Sequence, residues 1–372
     1  MNLGLHFVVG LPKADLDFET RRWLRAIRPS GVILFARNIP SPEQAADLTR
    51  ELRALLGEDL LLCIDHEGGR VNRLRDHLGV IPSAQQLGIL GSAPLARRHG
   101  VLAGRLLRLL GLNWNLAPVL DLALKREVDN AISDRTFSAD PAEVTRLSAA
   151  FCAGLLSQGV IPCGKHFPGY GAANKDPHKS LPVIDRTLKQ LREEDLVPYK
   201  NLLQARPSPL PSLMTAHGHF PAVHPDPRPA SVSGPIMNGW LRRRLRYKGI
   251  VITDDLEMGG ITQVMSVGEA CVQTLRAGID FNLICHTPDL MLHSLEAVEK
   301  ALRDGTLKTR LLEPSARRIA RFKKRVPKPL PYSPAQFARL REQTARFTGS
   351  VLEKLPAARR KLDSGLAAVG EK

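Results

Sequence analysis

Eight short apolar runs punctuate the chain, each flanked by glycine, proline or charged residues. They are LHFVV (5–9), GVILF (31–35), LLLCID (60–65) and NWNLAPVLD (113–121), then VIPCGKHF (160–167), SLMTAH (212–217), GIVITDD (249–255) and FNLICH (281–286). Most are continuously apolar rather than alternating, the pattern of parallel strands covered on both faces. Amphipathic helical stretches lie between them. SPEQAADLTRELRALLG opens on Ser-Pro with a Glu close behind, and DPAEVTRLSAAFCAGLLSQG opens on Asp-Pro and closes on Gly. TLKQLREEDLVPYKNLLQA and DLMLHSLEAVEKALRDG repeat the theme. A series of eight strand-then-helix units predicts an α/β fold, a (β/α)8 barrel. A doubly wound sheet would require a glycine-rich phosphate turn after the first strand, and VVGLPKADLD is not GxGxxG.

A barrel of this kind builds its site from the loops at the C-terminal ends of its strands. Polar residues gather at those positions. The third run ends in Asp65 and leads into HEGGRVNR; the fourth ends in Asp121, with AISDRTF downstream. The fifth carries Lys165-His166, the sixth reaches His217-Gly-His219, and the seventh ends in Asp254-Asp255. Five successive strands ending in this way point to a built site rather than to ordinary sheet edges.

Composition adds bounds. The chain has 372 residues, 43% of them hydrophobic and 24% charged, enough for a large core. No apolar run approaches the roughly 20 residues of a membrane helix, and the start of the chain has no basic leader or cleavage site, so a cytoplasmic location with no membrane insertion is expected. Five cysteines without CxxC spacing read as reduced, buried thiols. The net charge of +16 is concentrated at the end: residues 301–372 hold 18 Lys/Arg against 6 Asp/Glu, and residues 1–300 hold 35 against 31. The expected division is therefore a barrel over 1–325 and a basic, proline-punctuated extension over 326–372. With 5% aromatics and no recognised motif, nucleic acid is not an expected partner.

The strand-end groups include acids, histidines, arginines and a lysine, and no GxSxG, Walker A or HExxH motif occurs. Glycoside hydrolysis and metal-assisted hydrolysis both fit such a set. A metal site would use the lone HxH, His217 and His219, but the first strand ends in Val-Gly-Leu-Pro without a ligand. For glycoside hydrolysis, Asp254 projects from a strand into the barrel mouth, and alternation turns Asp255 the other way, to cap the next segment. Asp176 and His178 meet only if their loop folds back. The carboxylate then fixes the imidazole tautomer and leaves the other nitrogen to move a proton.

Together the segments GVILFARN, IDHEGGRVNR, NLAPVLD, SDRTFSADP, KHFPGYG, DPH, LMTAH, PASVS and GIVITDDLEMGGI resemble glycoside hydrolase family 3 over about residues 5–325, in particular the bacterial β-N-acetylglucosaminidases of peptidoglycan recycling. The resemblance implies a nucleophile at Asp254, an acid/base at His178 with Asp176 as its partner, and sugar ligands at Asp65, Arg73, Arg135, Lys165 and His166. It implies a GlcNAc β-1,4-linked to muramic or anhydromuramic acid as substrate, a monomer, and no metal or cofactor. Three positions depart from the family pattern: Tyr170 in place of His, Pro177 in place of Ser, and Glu257 in place of a small residue. Pro177 fixes its own φ at about −65° and biases Asp176 toward an extended backbone. Some relatives with a histidine acid/base resemble phosphorylases, so phosphorolysis stands as an alternative, beside a metal-dependent hydrolase and a non-enzymatic binding barrel.

Overall fold

Valine- and leucine-rich strands with no polar face can be satisfied only if both faces are covered, and the chain does this by closing the sheet on itself. The computed structural model describes residues 2–125 and 130–360. Its eight barrel strands are β1 (Phe7–Gly10), β2 (Gly31–Leu34), β3 (Leu61–Ile64), β4 (Trp114–Asn115), β5 (Ile161–Phe167), β6 (Ser212–Thr215), β7 (Ile250–Asp255) and β8 (Phe281–Ile284). All pair in parallel in chain order, and β1 closes on β8 with Val8 opposite Leu283. The expected (β/α)8 barrel is the observed one.

Each strand feeds two layers. Val8, Ile33, Leu61, Cys63, Ile161 and Met214 point into the barrel, while Phe7, Val9, Val32 and Leu62 point outward under the helices. The floor is plugged by the helix Glu313–Lys323, whose Phe322 meets Trp114 edge-on at 5.2 Å. The indole N–H of Trp114 donates to Ser212 Oγ at 2.9 Å, so this buried polar group is satisfied inside the barrel.

The fourth strand is shorter than its apolar run. Regular pairing stops at Asn115 because Ala117-Pro118 interrupts the ladder; Pro118 has no N–H to offer. The chain still tracks β5 up to the mouth, with Cys163 N donating to Ala117 O and Lys165 N to Pro118 O, and this carries Asp121 to its place. The predicted helix between β5 and β6 is broken into a π-helical turn, Leu191–Asp195, and the helix Val197–Gln204. Beyond residue 325 the chain lays the helix Pro334–Lys354 on the barrel's flank. Phe337 and Leu340 join the main core, and Phe347 and Val351 pack with Leu87, Leu102 and Val144. Residues 361–372 of the expected extension lie outside the described residues. No helix among the described residues is long and apolar enough to cross a membrane.

Candidate active site

The C-terminal ends of the strands surround a cavity of about 450 Å³, within the roughly 300–1,000 Å³ of small-molecule sites. All eight residues named from the sequence line it: Asp65, Arg73, Arg135, Lys165, His166, Asp176, His178 and Asp254.

The floor is an ion cluster. After β3 the chain makes a tight hairpin, His66–Gly68 against Val71–Asn72, which turns Glu67 inward. Glu67 takes a two-point ion pair from Arg135, with Nε and Nη2 both at 2.8 Å, and a third contact from Lys165 Nζ at 2.6 Å. Lys165 also donates to Asp65 Oδ1 at 2.6 Å, and Asp65 Oδ2 lies 3.9 Å from Arg73. Burial alone would raise the Glu67 pKa, but Arg135 and Lys165 hold it well below the ordinary carboxylate range. Glu67 was not among the residues assigned from the sequence. Replacing it with glutamine takes the paired carboxylate from the buried Arg135 guanidinium, while Lys165 keeps Asp65, and an uncompensated buried charge costs about 3–5 kcal/mol. Glu67→Gln should lower the denaturant midpoint accordingly. The ionised form is the one stabilised, so this contribution is complete above the ordinary Glu value of 4.5 and is lost as pH falls through the lowered pKa.

His166 follows Lys165 directly, yet both side chains reach the cavity. The β5–β6 register slips between Gly164 and Phe167, which breaks strict alternation. Asp121 anchors the turn, accepting from His166 N, from His166 Nδ1 at 2.7 Å and from Tyr170 N at 2.6 Å. With its proton held on Nδ1, the ring presents Nε2 to Arg135 Nη2 at 3.5 Å and to Asp254 Oδ2 at 3.9 Å.

Asp254 and Asp255 diverge, as alternation requires. Asp254 faces His166, while Asp255 accepts from the amides of Glu257 and Cys285 and meets His286 Nε2 at 3.3 Å. Asp255 nevertheless lines the same cavity, because β7 ends there and the chain turns across the mouth. Burial would raise the Asp254 pKa; His166, His217 and Lys165 outweigh it and leave the pKa below the ordinary value. The Glu257 carboxylate is turned to the amides of Cys285, His286 and Thr287, at the start of the helix Pro288–Arg303. A negative charge there complements the helix dipole.

The HxH pair does not converge on one point. His217 uses both nitrogens, Nδ1 with Ser231 Oγ and Nε2 with the Asp255 carbonyl, while His219 Nε2 donates to His224 O. Burial lowers the His217 pKa, against the opposing pull of Asp254 and Asp255.

The loop from Tyr170 to Ile184 brings the last two groups. Asp176 folds back on His178, accepting from its backbone N–H at 2.9 Å and from Nδ1 at 2.6 Å. Burial opposes ionisation of Asp176, but these two donors lower its pKa overall. The loop is docked on the turn that follows Asp254. Gly259 N donates to His178 O, Gly260 N to Pro177 O, and Gln263 Nε2 to Lys179 O. A Cβ on Gly259 would stand 2.6 Å from the Lys179 carbonyl carbon and 2.7 Å from His178 O, so only glycine permits this approach. Gly259→Ala should lift the loop and misplace His178, and a shift of about 1 Å can cost on the order of 10²-fold in turnover. The melting temperature should change little, because the displaced segment lies outside the barrel core.

The wider comparisons agree with this architecture. The family model "Glycosyl hydrolase family 3 N terminal domain" matches residues 8–322. A β-hexosaminidase of Idiomarina loihiensis is 36% identical over 283 residues, covering 75% of this chain and 83% of the relative. One from Thiobacillus denitrificans is 38% identical over 296 residues, covering 78% and 80%. Among solved structures, a family 3 β-N-acetylglucosaminidase from a Paenibacillus species superposes with a TM-score of 0.86 at 30% identity, over 93% of this chain and 68% of that one. NagZ from Neisseria gonorrhoeae, solved with N-trifluoroacetyl-D-glucosamine, gives 0.76 at 29% identity over 93% and 97%. With nearly the whole barrel matched and the strand-end cavity in place, this chain belongs to glycosyl hydrolase family 3 and is a glycoside hydrolase.

Proposed function

We propose that the protein is a retaining exo-β-N-acetylglucosaminidase that releases terminal GlcNAc from β-1,4-linked muropeptides and anhydromuropeptides during cell-wall recycling in the cytoplasm. The observation that carries this reading is one cavity holding an ionised carboxylate on a rigid strand and a histidine–aspartate dyad on a docked loop. The names of its relatives supply the sugar. The five buried free cysteines suit a reducing compartment.

In the first step His178, protonated, gives its Nε2 proton to the glycosidic oxygen while an Asp254 oxygen bonds to the anomeric carbon and the C–O bond to the leaving sugar breaks. The Asp176 carboxylate on Nδ1 stabilises the imidazolium before transfer and holds the tautomer afterwards. In the second step His178 takes a proton from water, the water oxygen bonds to the anomeric carbon and Asp254 departs, so configuration is retained. Lys165, Arg135, Arg73, Asp65 and His166 offer the fixed donors and acceptors that hold the ring hydroxyls. Because Glu67 and Asp121 lock their positions, little is lost in ordering them.

The test is turnover of a chromogenic N-acetyl-β-glucosaminide with and without phosphate, beside the corresponding β-glucoside. Free GlcNAc in both buffers and weak activity on the glucoside are expected. A sugar 1-phosphate as main product would replace hydrolysis with phosphorolysis.

A further inference from the structure

Among the described residues, one set of three side chains places metal-ligating atoms together: Asp255, Cys285 and His286, all within 4.8 Å of one another. It joins the end of β7 to the end of β8 and lines the active-site cavity next to Asp254. The donor set is mixed (a carboxylate, a thiol and an imidazole), the combination that suits zinc-like cations rather than magnesium or calcium. Asp255 Oδ2 and His286 Nε2 are 3.3 Å apart. Two ligands bonded to tetrahedral zinc at about 2.0–2.1 Å sit at about that spacing.

Each ligand is oriented by a contact that leaves a donor atom over. Asp255 spends Oδ1 on the amides of Glu257 and Cys285 and keeps Oδ2 for the cluster. The Cys285 backbone is clamped at both ends, its N–H by Glu257 Oε2 at 2.9 Å and its carbonyl by Arg37 Nη2 at 2.7 Å, with no call on the sulfur. The His286 ring leans on Phe35, with centroids 5.4 Å apart. Such outer contacts preorganise metal sites. The groove opens to the cavity, so water or a substrate oxygen can take the fourth position. The surroundings include Asp254, Glu257 and Asp65, whose charges favour a cation; Arg37 and Arg73, both over the Phe35 ring, are opposing charges.

We propose that Asp255, Cys285 and His286 form a binding site for zinc or a similar divalent cation in the wall of the active cavity, and that its occupation inhibits the enzyme. Cysteine ligates as the thiolate, so binding forms the metal–sulfur bond and releases the thiol proton to solvent. The site then gains one net positive charge: a dication enters and one proton leaves. That charge lies one residue from Asp254, where positive charge must develop on the sugar. Zinc occupation therefore opposes the reaction. The binding claim stands apart from the sugar assigned above; the inhibition claim rests on it.

Cobalt(II) is the probe, because a thiolate bound to it gives a ligand-to-metal charge-transfer band in the near ultraviolet. Full-length wild type should show this band together with the intense visible bands of a tetrahedral ion. Zinc should displace them and release one proton per metal. Cys285→Ser should lose the charge-transfer band. His286→Asn should weaken zinc binding by about 100-fold, at least what loss of an outer contact costs a metal site. Zinc should inhibit wild type reversibly by chelator, and in each variant the inhibition constant, read against that variant's own activity, should rise by a similar factor. A charge-transfer band that survives Cys285→Ser, or zinc affinity unchanged in His286→Asn and lost only in His178→Ala, would overturn the site. Metal binding as described without inhibition would overturn the regulatory half alone.

Discussion

Asp254→Ala is expected to abolish turnover, with kcat reduced on the order of 10⁴-fold or more, the scale at which loss of a covalent nucleophile is felt. The fold should survive. Lys165 keeps Asp65 and Glu67 as partners, and His166 keeps Asp121, so no buried cation is stranded when this carboxylate leaves. Added azide should restore turnover in the alanine variant by entering the vacated space, yielding a glycosyl azide of inverted configuration. An alanine variant with more than about one-hundredth of wild-type activity would remove Asp254 from the nucleophile's role. The wild-type pH profile carries a related signature. Because the Asp254 pKa lies below the ordinary 3.8, its ionised form persists as pH falls, and the acid limb due to this group belongs below that value.

The second large effect is at the dyad. His178→Ala should lower kcat/KM on natural, poorly leaving sugars by about 10²–10⁴-fold, the usual share of general acid–base catalysis. The loss on a dinitrophenyl glycoside should be much smaller for the first step, since that leaving group needs no proton. With the second step still slow, a burst of dinitrophenolate should precede slow steady-state turnover. Asp176→Asn removes the charge that holds Nδ1 at 2.6 Å and should show the same leaving-group dependence at smaller amplitude. Equal losses on both substrates would mean that His178 binds sugar and does not move a proton.

The barrel was legible because its strands are covered on both faces, and runs such as GVILF and GIVIT have no second reading as amphipathic helices. Where the reading overran the structure, at residues 113–121, a proline ended the ladder while the chain kept its course. Asp65, Lys165, His166 and Asp254 were legible for the same reason as the strands: a polar residue closing an apolar run marks the barrel mouth. Glu67 was not, because it sits in a hairpin beyond the strand end and its meaning depends on Arg135, 68 positions away. Glu257 was seen as an added charge near the site, but only the fold shows that it spends that charge on the amides of residues 285–287. The basic end of the chain masked a second signal. Phe337, Leu340, Thr344, Phe347 and Val351 recur at helical spacing, and that buried face holds the helix Pro334–Lys354 against the barrel while the arginines stay in solvent.

The account turns on a covalent bond between Asp254 and the sugar, and the alternative within the same cavity is attack by the sugar's own acetamido group. Incubation with a fluorinated, slowly hydrolysed glycosyl donor, followed by proteolysis and mass spectrometry of the labelled peptide, separates them. The label is expected on the peptide that contains Asp254, with the mass of the intact fluorosugar. A label on any other residue, or an inactivated donor recovered as a free oxazoline with the protein unmodified, would contradict the mechanism.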